Sequence, residues 1–99
     1  MKIKSELKET ELTVYLEGEL NSATAPELDK FISESLKGVE ILIFDFTKLD
    51  YLSSAGLRIL LVSQKAMDKQ GKLIVRHVNE QIMDIFTMTG FINVLTIEN

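Results

Sequence analysis

The chain has no cysteine, which excludes a disulfide framework and any zinc site built on thiolates and leaves the redox compartment open. It also has no long apolar run. The opening Met1-Lys2-Ile3-Lys4 alternates charge with apolar residues, so neither a secretory signal nor a membrane span is expected. A cytoplasmic protein with no membrane contact is the expectation that follows. Basic clusters are missing as well: 11 Lys and Arg stand against 15 Asp and Glu, for a formal charge of −4. With no basic face, direct nucleic-acid binding is not expected, and a partner is expected to be a protein. Ser53-Ser54-Ala55-Gly56 has a single glycine and no following Lys-Ser or Lys-Thr pair, which argues against a phosphate-binding loop. There is one histidine, His77, and no Gly-x-Ser-x-Gly elbow around either serine, so an enzyme is not expected. Nothing in the sequence calls for a cofactor or a metal. Repeats, linkers and low-complexity segments are absent too.

What remains is 99 residues that are 45% hydrophobic. A chain of this size buries roughly 60–70% of its unfolded surface, enough for one core and a single domain over residues 1–99. Ile3 to Lys8 and Leu12 to Leu16 alternate with period two around the polar Glu9-Thr10-Glu11, which predicts a hairpin. Leu12, Val14 and Leu16 share one face and Thr13, Tyr15 and Glu17 the other, as in a sheet covered by helices on one side. Gly18 is read as the break that ends the second strand. Thr24-Ala25-Pro26-Glu27 fits a capping box with proline in the first turn, and Leu28, Phe31, Ile32 and Leu36 then form a helical stripe stopped at Gly38.

Ile41 to Phe46 is a nearly continuous apolar run, the pattern of a central strand buried on both faces. A second helix is predicted from Leu57 to Gln70, with Leu57, Leu60, Leu61 and Met67 on its stripe and Gly71 ending it. Ile59 and Val62 widen that stripe, which predicts contact with neighbouring helices. Lys72 to Val78 reads as a strand, and strand, helix, strand implies a right-handed parallel crossover. Asn79 is placed to cap a third helix carrying Ile82, Ile85 and Phe86, with Gly90 stopping it, and Val94 to Ile97 closes the chain as an edge strand. The expected fold class is α/β, a mixed sheet of about five strands with about three helices packed mainly on one face.

Chemistry, if there is any, belongs to the stretch Asp50-Tyr51-Leu52-Ser53-Ser54-Ala55-Gly56-Leu57-Arg58, where a strand ends and an apolar helix begins. A helix N-terminus presents free N–H groups and partial positive charge, and suits a hydroxyl or a phosphoryl group. By residue type alone Ser54 is an ordinary cap. Asp45 is read as ordering a turn, His77 as a strand-end imidazole, and Met67, Met83 and Met88 as core filler, with Met88 the one placed for exposure beside Gly90-Phe91.

The whole chain resembles the STAS domain family, and in particular the bacterial anti-sigma factor antagonists. Three features carry the resemblance: Gly18-Glu19-Leu20 before a threonine-containing helix cap, Phe44-Asp45-Phe46 ahead of the Ser-Ser-Ala-Gly-Leu turn, and Met88-Thr89-Gly90-Phe91 near the end. The resemblance implies a protein whose unphosphorylated form binds an anti-sigma factor, often a serine kinase, and thereby frees a sigma factor. Phosphorylation of a serine at this helix start weakens the complex, and a phosphatase resets it. The family motif commonly reads Asp-Ser-Ser-Gly-Leu or Asp-Ser-Thr-Gly-Leu. Registered on Gly56 and Leu57, the acceptor falls at Ser54, with Ser53 the second choice and otherwise a capping or turn hydroxyl.

Ser53 stands where the acid is usual, Ala55 where a second hydroxyl is usual, and Asn21 where many members carry an acid after Gly-Glu-Leu. Asp50 is placed to supply part of the missing charge. The residues expected to meet a partner are Asn21, Ser22, Asp50, Ser53, Ser54, Ala55, Gly56 and Arg58, with Met88 joining from the third helix. The alternative reading is a STAS adaptor that is never phosphorylated, a subunit of a lipid-transport or sensory assembly.

Overall fold

A computed structural model describes residues 1–99. The polar break at Glu9-Thr10 turns the chain between two antiparallel strands, β1 (Lys2–Lys8) and β2 (Glu11–Leu20). Then follow α1 (Ala25–Ser35), β3 (Ile41–Leu52), α2 (Ser54–Asp68), β4 (Lys72–Arg76), α3 (Glu80–Thr89), a short 3₁₀ turn (Phe91–Asn93) and β5 (Thr96–Glu98). The strands lie in the sheet in the order β1-β2-β3-β4-β5, with every neighbouring pair after the first hairpin parallel. Connections between parallel neighbours are right-handed almost without exception, because of the twist of the strands. Crossovers that step in one direction across a sheet put their helices on the same face, and the one-sided arrangement follows from the strand order.

That face carries the core. Leu12, Val14 and Leu16 of β2, Leu42, Phe44 and Phe46 of β3, and Leu73 and Val75 of β4 meet Leu28 and Ile32 of α1, Leu60 and Met67 of α2, and Ile82 and Phe86 of α3. The rings of Phe44 and Phe46 sit on the same face with centroids 6.1 Å apart. On the other face, Ile43 and Ile74 are directly paired in register and buried without a helix above them. Around them the face is a lattice of opposite charges, with Lys2 beside Glu17, Lys8 beside Glu11 and Asp45 beside Arg76, and Arg76 bonded to Glu98 at 3.2 Å. Cross-strand pairs of this kind keep a half-covered sheet wet on its outer side.

Several boundaries differ from the sequence-based expectation, each for a local reason. Gly18 does not end β2. With φ +106° it absorbs the register irregularity against β3, and the strand continues to Leu20. β3 likewise runs past Phe46 to Leu52, held by β2 alone over its second half. β4 stops at Arg76 because His77 turns to φ +59°. The last strand begins only at Thr96, after the 3₁₀ turn has used Phe91 to Asn93.

The capping box at Thr24 is not formed. Thr24 already has helix-like angles, and its hydroxyl turns back to donate to the Glu19 carbonyl and accept from the Asn21 N–H, each at 2.9 Å. Asn21 Oδ1 accepts from Ala23 and Thr24 instead, an Asx turn that leads into α1. Asn79 does cap α3, accepting from Ile82 N–H at 2.8 Å, and its amide also donates to the Leu49 carbonyl, which ties the helix start to β3. Gly90 follows α3 in the left-handed region, as its position predicts.

At the far end of the helices, Gln70 Nε2 donates to the carbonyls of Leu36 and Val39, joining the exits of α2 and α1. Gly71 passes directly against the Glu40 backbone, where a Cβ would overlap the carbonyl group. Because the obstacle is main chain, it has no rotamer in which to retreat. Gly71→Ala is therefore expected to cost more than about 2 kcal/mol in urea unfolding, and an unchanged midpoint would contradict this contact.

Candidate functional site at the start of α2

The parallel pairing of β2 and β3 ends with Leu20 opposite Leu52. Ser53 extends the ladder by one bond, its N–H donating to the Leu20 carbonyl at 2.9 Å, and remains extended at φ −99°, ψ −177°. Its carbonyl then accepts from Leu57 N–H at 3.0 Å, the first turn of α2. Ser53 is thus the N-cap by backbone position. Its hydroxyl, however, makes no capping bond and is buried without a partner, which corrects the reading of Ser53 as the capping hydroxyl. The first-turn N–H groups of α2 have no side-chain cap, and Ser54, the first helical residue, is exposed beside them.

Gly56 explains why the helix begins where it does. A Cβ at this position would lie 2.8 Å from Leu20 Cγ and 3.3 Å from Leu52 Cβ. The first turn of α2 therefore rests on the last residues of both strands, and glycine is the residue that allows the approach. Leu57 and Leu60 then turn into the core while Arg58 stays outside.

Beside this start lies a groove of about 380 Å³. Ser22, Ala25, Pro26 and Asp29 form the α1 side, and Ala55, Arg58, Ile59 and Val62 the α2 side. Its lining is largely apolar, with Asp29 and Arg58 as its charged members. Arg58 takes part in none of the salt bridges of the chain, so its guanidinium is available to an incoming group. Val62 was expected to contact neighbouring helices; it is instead 53% exposed along the groove, whereas Ile59 is buried.

The expected partner residues do not all converge. Ser22, Ala55 and Arg58 line the groove, with Ser53, Ser54 and Gly56 on the same turn. Asn21 adjoins them, its side chain taken up by the Asx turn. Asp50 is exposed at an irregularity in the β2–β3 pairing, between the partners of Gly18 and Glu19, and is not part of the groove lining. Met88 is 86% exposed in the last turn of α3 and does not line the groove either. Ala25, Pro26, Asp29, Ile59 and Val62 were not anticipated as site residues. The excess width of the α2 apolar stripe was a signal of Ile59 and Val62 alone; nothing local marks the three α1 residues.

Asp45 does not order a turn: it lies inside β3, where its carboxylate accepts from the Thr47 N–H at 2.9 Å and the Thr47 hydroxyl at 2.6 Å, at the register irregularity between Tyr15 and Glu17 of β2. His77 Nε2 lies 3.8 Å from Asp45 Oδ2, and neither candidate serine bonds to the imidazole. No group of three or more His, Asp or Glu residues is gathered in a way that suits a metal ion. No helix is long and apolar enough to cross a membrane.

A domain of this topology, with a hydroxyl-bearing turn between its longest strand and an apolar helix, is the arrangement of the STAS domain. The family model matches residues 2–99, and the chain belongs to the STAS domain family. A Bordetella bronchiseptica protein provisionally named as the anti-sigma factor antagonist BtrV is 32% identical over 101 residues, covering 100% of this chain and 87% of that one. Among solved structures, an anti-sigma factor antagonist from Mycobacterium paratuberculosis superposes with TM-score 0.88 at 22% identity, over 97% of this chain and 83% of the other. The Bacillus cell fate determinant SpoIIAA in its phosphorylated form superposes with TM-score 0.77 at 18% identity, over 99% and 92% of the two chains. These two structural likenesses establish the fold.

The Gly56 contact yields a direct test of how the site is built. Gly56→Ala is expected to lose about 1–3 kcal/mol in urea unfolding, with amide shifts at Leu20, Leu52 and Ser54 displaced together. Wild-type stability with unmoved amides at those three positions would refute the close approach.

Proposed function

We propose that this protein is an anti-sigma factor antagonist switched by phosphorylation of Ser54. In this reading the unphosphorylated form binds an anti-sigma factor that is itself a serine kinase, in the cytoplasm, and so frees a sigma factor for transcription. The kinase modifies Ser54, the complex weakens, and a serine phosphatase restores the binding form. The protein is the substrate of this chemistry and catalyses none of it. The observation that carries the proposal is the exposed Ser54 at the uncapped start of α2, beside an apolar groove, in a STAS domain whose named relative is an antagonist.

Burial of the Ser53 hydroxyl favours Ser54 over its neighbour as the acceptor. A phosphoryl group adds about −1.5 to −2 charge and three acceptor oxygens, and the free N–H groups of the α2 start accommodate such an anion without refolding. Against a partner packed on the groove, the same group is bulky and costly to desolvate. A penalty of about 3–4 kcal/mol is enough to turn a nanomolar complex into a micromolar one. Ser53 and Asn21, standing where acids are usual in the family, lower the negative charge around the acceptor and make its modification less self-repelling.

Incubated with its partner kinase and ATP, the protein is expected to gain one phosphoryl group, assigned to Ser54 by peptide mass spectrometry. Ser54→Ala is expected to bind the anti-sigma factor as wild type does while resisting modification, and Ser54→Asp to bind at least about tenfold more weakly, a loss of about 1.4 kcal/mol. Failure of the functional kinase to modify wild-type protein, together with wild-type affinity in both variants, would replace this reading with that of an unphosphorylated STAS adaptor.

A further inference from the structure

The two edges of the sheet are unequal. β5 offers three residues, Thr96–Glu98, whereas β1 offers seven, Lys2–Lys8, almost all exposed. The register of the hairpin determines which β1 groups are free. Lys8 pairs with Glu11 across the two-residue turn and so forms its closing hydrogen-bonded pair. Such pairs alternate along an antiparallel ladder, which assigns the N–H and C=O groups of Lys2, Lys4, Glu6 and Lys8 to β2. Those of Ile3, Ser5 and Leu7 point outward, and no backbone hydrogen bond outside the strand ladders involves these three residues. Leu7 is 62% exposed at the same edge.

We propose that β1 pairs antiparallel with β1 of a second copy of this chain about a two-fold axis at Ser5, joining two sheets into one. The sequence of the edge is self-complementary in this register. Ser5 faces Ser5 and Ile3 faces Leu7 as hydrogen-bonded pairs, which uses the outward-pointing groups and covers Leu7 on the helix-bearing side. Lys4 faces Glu6 on the open side, twice by symmetry, in the closer non-hydrogen-bonded pairs where opposite charge counts most. Lys2 faces Lys8, but Lys8 is already 3.7 Å from Glu6 of its own strand.

Neighbouring registers are poorer. Centring on Ile3 sets Lys2 against Lys4, and centring on Leu7 runs the pairing into Glu9, where φ +55° leaves the extended conformation. Lysines on an edge strand ordinarily discourage pairing. Here Glu6 interrupts them and selects a single register. The seam lies along β1, two strands from β3, and does not use the Ser54 turn.

Sedimentation of the full chain from about 1 µM to about 1 mM, the span over which a weak contact dissociates, is the test. The wild type is expected to pass from monomer to dimer. Glu6→Lys and Lys4→Glu are each expected to raise the dissociation constant at least about tenfold, about 1.4 kcal/mol, and the double reversal Lys4→Glu/Glu6→Lys to restore it. Ser5→Pro, which removes an outward N–H that β2 does not use, is expected to abolish the dimer with an unchanged circular dichroism spectrum. A wild type that stays monomeric throughout, or a dimer indifferent to the single charge reversals, overturns the proposal. Failure of the double reversal to recover overturns the register.

Discussion

The parallel pairing of β2 with β3 is the constraint on which the rest of this structure depends. It runs from Glu11 beside Ile41 to Leu20 beside Leu52, and it continues after β4 has left the other side of β3. Because both strands end together, the chain must leave the sheet twice at nearly the same place, once through Asn21-Ser22 into α1 and once through Ser53 into α2. The groove between the two helices and the exposed Ser54 turn are consequences of that common ending. Gly56 allows the arrangement to be compact, since any side chain there would press on Leu20 and Leu52.

Strand order divides the labour between the faces of the sheet. Helices crossing in one direction cover one side and bury the three phenylalanines Phe44, Phe46 and Phe86, while the other side is kept wet by charges paired across strands. Because positive and negative residues interleave on the open face, the net charge of −4 is weighted toward the helix-bearing side and the ends of the sheet. A phosphoryl group at Ser54 would join that side. The open face and the edge at β1 remain for contacts of a different kind, and the proposed pairing of β1 with a second copy engages neither α1 nor α2.

Much of the architecture was legible because periodicity reports burial directly. The alternation in β2, the apolar run of β3 and the stripes at Leu28, Ile32, Ile82 and Phe86 all point to the elements and faces that are observed. The errors came where a local signal had two possible uses. Gly18 reads as a stop in isolation, and only the presence of β3 alongside turns it into a point of irregular pairing within a continuing strand. Thr24 and Glu27 have the spacing of a capping box, yet the hydroxyl is claimed by the loop that the end of β2 brings back toward it. Ser53 has the residue type and the backbone position of a cap, and its hydroxyl is nonetheless turned into the protein.

The sequence by itself determined that there is one α/β core, that a strand-to-helix turn at Ser53-Ser54-Ala55-Gly56 is its most chemically distinctive point, and that the chain resembles the STAS domains to which it belongs. It could do so because the periodicity of burial is encoded over a few neighbouring residues. Tertiary structure alone decided which serine is exposed, which residues of α1 and α2 form a shared groove, and that Met88 stands outside it. Those outcomes depend on where two strands end relative to each other and on how closely a helix approaches them, distances set between residues remote in the chain and carried by no local pattern.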